Sequence, residues 1–307
     1  MGIVIDAKAR GLAIAEKYSR IPYWEPQNRE LLDKNCRILF PVAPPGMLQK
    51  LRQGEKICHM DWMVRTTRNW KFENIKVFST NFPDVFWVMR DASAETKWAG
   101  KKGNYNGRLF TRLTIQDEAI VEIKDYFDSL AMYKAAGIEI PYFKYDAPNP
   151  ETIPERPPVP DCTYSAEALE KQTKATLSKF VSVDFWDGEI NANDIVHELP
   201  FTPEGMPKRY NAREYDALNE WIGKNCLEWE TYPGSKLYIT DTEGVYIIES
   251  GGTGYMSWTG VEGHYENREV SYLYIKDGYA KEFHEYFSPA NKFNSVKLPL
   301  PTFPYLY

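Results

Sequence analysis

In "VEIKDYFDS" (residues 121–129) a carboxylate stands on what otherwise reads as the apolar face of a β-strand. Period-2 alternation puts Val121, Ile123, Asp125 and Phe127 on one face and Glu122, Lys124 and Tyr126 on the other. A carboxyl group on an apolar face resists ionisation, so its pKa rises toward the range where it can give or take a proton near neutrality. A carboxylate paired with a buried Arg or Lys, or one at a strand end facing water, leaves the same pattern in a sequence. The stretch returns 160 positions later as "KEFHEYFSP" (281–289), with Glu285 in the place of Asp125. An acid at the same position of two related segments favours the chemical reading. Other chemistries find little support. The four histidines have no metal-ligand spacing, and "SGGTGYMSWTG" (250–260) lacks the lysine and following helix of a phosphate loop. No metal and no cofactor is implied. Cys36, Cys58, Cys162 and Cys226 show no short paired spacing, so buried, reduced thiols are expected rather than a disulfide framework or a zinc site.

These acids need elements to hold them, and the chain is organised as two copies of one unit. "YDAPNPETIPERPPVPD" (145–161) reads as a proline-rich linker. Across it, a shift of 160 lays residues 105–141 on 265–301 without a gap, matching Tyr105/Tyr265, Arg108/Arg268, Leu113/Leu273, Asp117/Asp277, Tyr126/Tyr286 and Phe127/Phe287. The same register pairs Trp98 with Trp258, and a shift of 159 pairs "FPVAPPGM" (40–47) with "LPFTPEGM" (199–206) and Trp62 with Trp221. The division predicted is domain 1 at 1–147, linker at 148–161 and domain 2 at 162–307. Each unit reads as helix, short strand, proline-rich turn, helix and a meander of long strands, with a hairpin turn at Asp117-Glu118 or Asp277-Gly278. Helices followed by a meander argue for an α+β unit, a curved antiparallel sheet covered by helices on one face. The other face is also apolar, so the two sheets are expected to pack on each other as a pseudo-dimer.

"NWKFENIKVFSTNFPDVFWV" with "IVEIKDYFDSLAMYKAAGIEIP", and "GHYENREVSYLYIKDGYAKEFHEYF" in the second copy, resemble the phenazine-biosynthesis A/B proteins and the wider SnoaL-like group. The resemblance covers about 25–143 and 165–303. It implies the nuclear transport factor 2-like fold, a cone around an apolar pocket, and makes this chain a fusion of two domains that family members pair as a dimer. It places the pocket acid at Asp125 and Glu285 and the pocket histidine at His59, three residues before Trp62. In the second copy that position is Leu218, so only the first copy carries both groups. A pocket hydroxyl of the family falls on Met63 and Ile222, which puts the family's condensation chemistry in doubt. Glu285 could work with His264 or His284, although His284 should point to the opposite face. Trp62, Trp87, Trp98, Trp258 and Tyr265 are candidate walls for a flat, cyclic substrate, against the ordinary role of large aromatics in sheet faces.

The remaining composition sets bounds. With 307 residues, 43% of them hydrophobic, the chain can bury two cores. A net charge of −6 without any basic run gives no reason to expect nucleic acid. No stretch has the length of a membrane span or the form of a signal peptide, so a cytoplasmic protein without membrane partners is expected. The function expected is a cofactor-independent acid–base enzyme, a lyase, dehydratase or isomerase acting on a small cyclic or aromatic metabolite. In it, Asp125 would shuttle a proton with His59 assisting, or one copy would be catalytic and the other a scaffold. A non-catalytic binding protein and a structural partner with filled cones are the alternatives, and assembly beyond the intramolecular pseudo-dimer is left open.

Overall fold

The computed structural model describes residues 2–156, 159, 165–182 and 189–306, with side chains from residue 7 onward. The chain divides into two compact units, Met1–Ile140 with Leu300–Tyr307, and Pro141–Pro299. The boundary therefore falls at 141 instead of after 147, and the last eight residues belong with the first unit instead of the second. Much of the expected linker at 148–161 is described, including a short 3₁₀ turn at Pro150–Thr152.

The first unit runs α1 (Gly2–Arg20), α2 (Pro26–Arg29), β1 (Leu32–Leu39), β2 (Lys50–Leu51), α3 (Gln53–Thr66), β3 (Thr67–Ser79), β4 (Val85–Trp98), β5 (Lys101–Gln116), β6 (Ala119–Phe127) and α4 (Ser129–Ala136). Its six strands form one sheet in the order β2-β1-β6-β5-β4-β3. The meander β3–β6 is antiparallel as expected, but β1 lies parallel to β6, with Ile38 opposite Ile123. The sheet is thus mixed. A strand preceding the meander reaches its far edge only by a long crossover, here β2, α3 and three strands of the meander, and such a crossover permits parallel pairing. A bulge where Thr114 and Ile115 meet Glu122 and Ile120 interrupts alternation at Val121, after which Ile123, Asp125 and Phe127 continue on one face. Asp128 caps α4 by accepting from the amides of Leu130 and Ala131, which fixes the helix directly after the acid-bearing strand.

The second unit repeats this plan: α5 (Ala166–Val181), β7 (Asn191–Glu198), β8 (Arg209–Tyr210), α6 (Ala212–Asn225), β9 (Cys226–Thr231), β10 (Lys236–Ile239), β11 (Val245–Met256), β12 (Gly263–Lys276), β13 (Tyr279–Tyr286) and α7 (Pro289–Ser295). Its seven strands form the path β10-β11-β12-β13-β7-β8, with β9 also on β11 and β7 parallel to β13. The equivalent of β3 is split into β9 and β10 around Pro233-Gly234, where proline removes a ladder donor. Asn211 and Glu214 form a reciprocal cap on α6. Each core is built on a stacked tryptophan pair, Trp62–Trp98 at 5.8 Å and Trp221–Trp258 at 5.7 Å between ring centroids. Such pairs contribute roughly 0.5–1.5 kcal/mol beyond area burial. Of the cysteines, Cys36 is buried, Cys226 partly so and Cys58 exposed, a departure from the expectation of uniform burial, while Cys162 lies outside the described residues. No helix among the described residues is long and apolar enough to cross a membrane.

Candidate functional site

In the first unit Asp125 stands on β6 opposite Thr111 of β5, whose hydroxyl donates to Oδ1 at 2.6 Å. Burial pushes the carboxyl up to about 6, while the Thr111 bond and the charge of Arg90 oppose the rise. Arg90 is itself held by α1: its Nη1 donates to the carbonyls of Tyr18 (3.1 Å) and Ser19 (2.7 Å), and its guanidinium lies 3.9 Å from the Phe72 ring centroid. Asp125, Arg90, His59, Trp62, Trp98 and Tyr105 line a common cavity of only about 50 Å³.

His59 is not paired with Asp125. Its Nε2 lies 2.6 Å from the Tyr23 hydroxyl and its Nδ1 2.8 Å from that of Tyr305, so both ring nitrogens are taken. Burial lowers its pKa to about 3, and the neutral ring accepts from one tyrosine and donates to the other. Trp87 is also displaced from its expected place: it lines neither cavity. It registers with Arg112 and through it with Lys124, on the sheet face opposite Asp125, and its ring packs on Phe110 at 4.8 Å.

The equivalent cavity of the second unit is larger than the one beside Asp125, about 370 Å³, and is walled by Trp229, Trp258, Tyr265, Phe287 and Met256. Glu285 and Glu269 enter it from neighbouring strands and share a hydrogen bond. Burial and the neighbouring carboxylate raise Glu269 well above the usual range, and burial raises Glu285. The pair therefore passes from two protons to one near pH 7, Glu269 keeping its proton while Glu285 ionises. Glu269 is further held by Ser250 Oγ at 3.2 Å and by the Asn267 amide. Lys292 of α7 completes the wall, its pKa lowered to about 8 by burial against the opposing pull of Glu285. Behind the pair, His197 Nε2 is 3.1 Å from Glu285 Oε2; burial keeps this imidazole neutral. Trp229 Nε1, Trp258 Nε1 and Asn267 Oδ1 have no hydrogen-bond partner among the described residues, which leaves polar atoms in this wall for a ligand.

Neither expected histidine reaches Glu285. His264 bonds the Thr253 hydroxyl at 2.7 Å, and His284 packs on Tyr272 on the other face of β13. The histidine that does reach it, His197, was missed, as were Glu269, Asn267 and Lys292. Their signal lay in the repeat: they stand where the first copy has Ile38, Leu109, Gly107 and Met132. Polar groups appearing at apolar positions of a duplicate mark the site. Among the described residues no group of three His, Cys, Asp or Glu is placed to hold a metal ion.

Residues 17–149 match the family model of phenazine biosynthesis protein A/B, so the resemblance read from the sequence holds for the first unit. The second unit is tied to that family through the internal repeat. Phenazine biosynthesis protein PhzB of Pseudomonas fluorescens is 25% identical over 28% of this chain and 54% of its own length. PhzB1 of Pseudomonas aeruginosa is 24% identical over 45% of this chain and 88% of its own. The first of the curated relatives is thus matched over about half its length. Among solved structures, PhzB2 from Pseudomonas aeruginosa covers 50% of this chain and 98% of its own at 20% identity and a TM-score of 0.43. An NTF2-like protein from Burkholderia xenovorans covers 43% and 98% at 12% identity and a TM-score of 0.34.

Proposed function

We propose that this chain is a cofactor-independent acid–base enzyme, a lyase, dehydratase or isomerase acting on a small cyclic or aromatic metabolite, and that its second unit does the chemistry. The observation that carries this reading is the proton-sharing Glu269–Glu285 pair on the wall of a 370 Å³ aromatic cavity. Ligand pockets begin near about 300 Å³. The 50 Å³ space beside Asp125 falls far short of that, and its histidine is engaged by two tyrosines. The first unit then serves as the scaffold copy. Glu285 withdraws a proton from a ring-bound carbon or oxygen, and Glu269 returns its own to another atom of the same ligand, each transfer worth roughly 10²- to 10⁴-fold. The aromatic walls suit a flat ligand, and the relatives named for phenazine biosynthesis support a place in the making of such compounds.

Infrared titration of the carboxyl groups tests the assignment. The unaltered protein is expected to show a protonated carboxyl band titrating near pH 7, lost in Glu285→Gln and displaced in Glu269→Gln, and a separate one near pH 6 lost in Asp125→Asn. A band near pH 7 that survives both glutamine variants would overturn the reading.

A further inference from the structure

Lys56 and Lys292 are both buried, yet they are held differently. Lys56 Nζ donates to the carbonyls of Lys34 and Cys36 at 3.0 and 3.3 Å, the usual way of satisfying a buried ammonium. Lys292 Nζ has no hydrogen-bond partner among the described residues. Its surroundings are rings, with centroids of Trp258 at 4.7 Å, Phe287 at 4.9 Å, Phe143 at 5.7 Å and Trp221 at 6.0 Å. Its side chain lines the cavity that holds Glu269 and Glu285, and the equivalent position of the first copy is Met132. A lysine 5% exposed, without a hydrogen-bond partner among the described residues and open to a cavity, is desolvated in the way that favours the free amine, and this burial outweighs the ring faces and the charge of Glu285, which favour the ammonium. Burial lowers its pKa to about 8, so a usable fraction is unprotonated at neutral pH.

We infer that Lys292 is a nucleophile that forms an iminium with an aldehyde or ketone group of the ligand, with the Glu269–Glu285 pair moving the protons. This deepens the proposed function and rests on its choice of the second unit. The amine lone pair attacks the carbonyl carbon and a C–N bond forms, while the C=O π pair moves to oxygen, which takes the proton held by the carboxyl pair. Nitrogen then returns one proton to the pair. The pair delivers it to the new hydroxyl, the C–O bond breaks with its electrons, and water leaves the protonated C=N. Glu285, now ionised, removes a proton from the adjacent carbon. That C–H electron pair becomes a C=C bond and the C=N π pair comes to rest on nitrogen. The enamine so formed can be protonated elsewhere, an isomerisation, or can expel a β-hydroxyl as water, a dehydration. The substrate class is a cyclic or aryl carbonyl compound.

Reductive trapping with benzaldehyde and cyanoborohydride at pH 7, read by intact mass and peptide mapping, tests this. Lys292 is expected to be benzylated on the order of 10- to 100-fold faster than the exposed lysines, since its amine is less protonated. The rate should rise with pH to a half-maximum near 8. Lys292→Met, which installs the residue of the first copy, and Lys292→Arg, which keeps the charge without a nucleophilic amine, should each abolish the fast adduct. Labelling of Lys292 no faster than of surface lysines, in protein that still shows the carboxyl titration near pH 7, overturns the nucleophile alone. Fast labelling with no such titration leaves the nucleophile standing and overturns the carboxyl pair.

Discussion

Asp125 and Glu285 occupy the same pleat position of the same hairpin and differ in what faces them. Asp125 meets a hydroxyl and the charge of an arginine, Glu285 another carboxyl. The first arrangement settles a single acid, and the second leaves a proton to be traded. For Asp125 the folded-state pKa of about 6 lies above the ordinary aspartate value. Its contribution to stability is therefore full below about pH 4 and is lost as pH rises through 6. A separation of about two pH units corresponds to on the order of 3 kcal/mol. Asp125→Asn should remove that dependence, so that the unfolding free energy of variant minus parent grows by about this amount between pH 4 and pH 7. An unchanged difference in urea unfolding at the two pH values would mean that Asp125 titrates normally. Tyr305→Phe leaves His59 Nδ1 without its partner and should cost about 1–3 kcal/mol. Alternation alone identified the acid at 125, because strand period is local. The tyrosine from 246 residues away, and the polar replacements of the second cavity, were legible only by comparing copies or by folding the chain.

At the scale of elements, the two hairpins joining β5 to β6 and β12 to β13 need left-handed backbone at both turn residues. Asp117 and Glu118 have φ of 49° and 62°, Asp277 and Gly278 of 53° and 83°. Glycine tolerates this and glutamate does not, at about 1–2 kcal/mol per residue. The exposed Arg10–Glu118 ion pair, 2.8 Å long, offsets little of it. Glu118→Gly is therefore expected to stabilise the first unit by about 0.5–1 kcal/mol, the entropy lost by glycine included, seen as a higher urea midpoint with an unchanged slope. A lower midpoint would show the ion pair to be the larger effect. Both hairpin turns were visible in the sequence, and so were the helices and meander. Element bounds recur at the shifts of 159 and 160 read from the residues, as in α3 (53–66) and α6 (212–225), or β2 (50–51) and β8 (209–210). The parallel pairing of β1 with β6 was not visible, because it joins strands some 80 residues apart and no local periodicity encodes it.

At the scale of the whole chain, duplication frees one copy to carry groups that cost stability, as the proposed chemistry requires. The second unit buries Glu269 and Lys292 beside the half-buried Glu285, groups that resist burial when charged, while the first has Leu109, Met132 and Asp125 in the matching places. Residues 300–307 bear on this division, because they complete the first unit and not the second. Phe303 packs on Trp98 at 5.9 Å and Tyr133 at 5.6 Å, its amide donates to the Pro45 carbonyl at 2.7 Å, and Tyr305 bonds His59. Ending the chain after Pro299 removes a buried phenylalanine worth about 3–5 kcal/mol together with the His59 bond. The first unit should then unfold at markedly lower urea. The carboxyl titration near pH 7 and the fast labelling of Lys292 should persist, since every group that produces them lies within 141–299. If both signals vanish with the early transition, the second unit does not hold its site by its own residues.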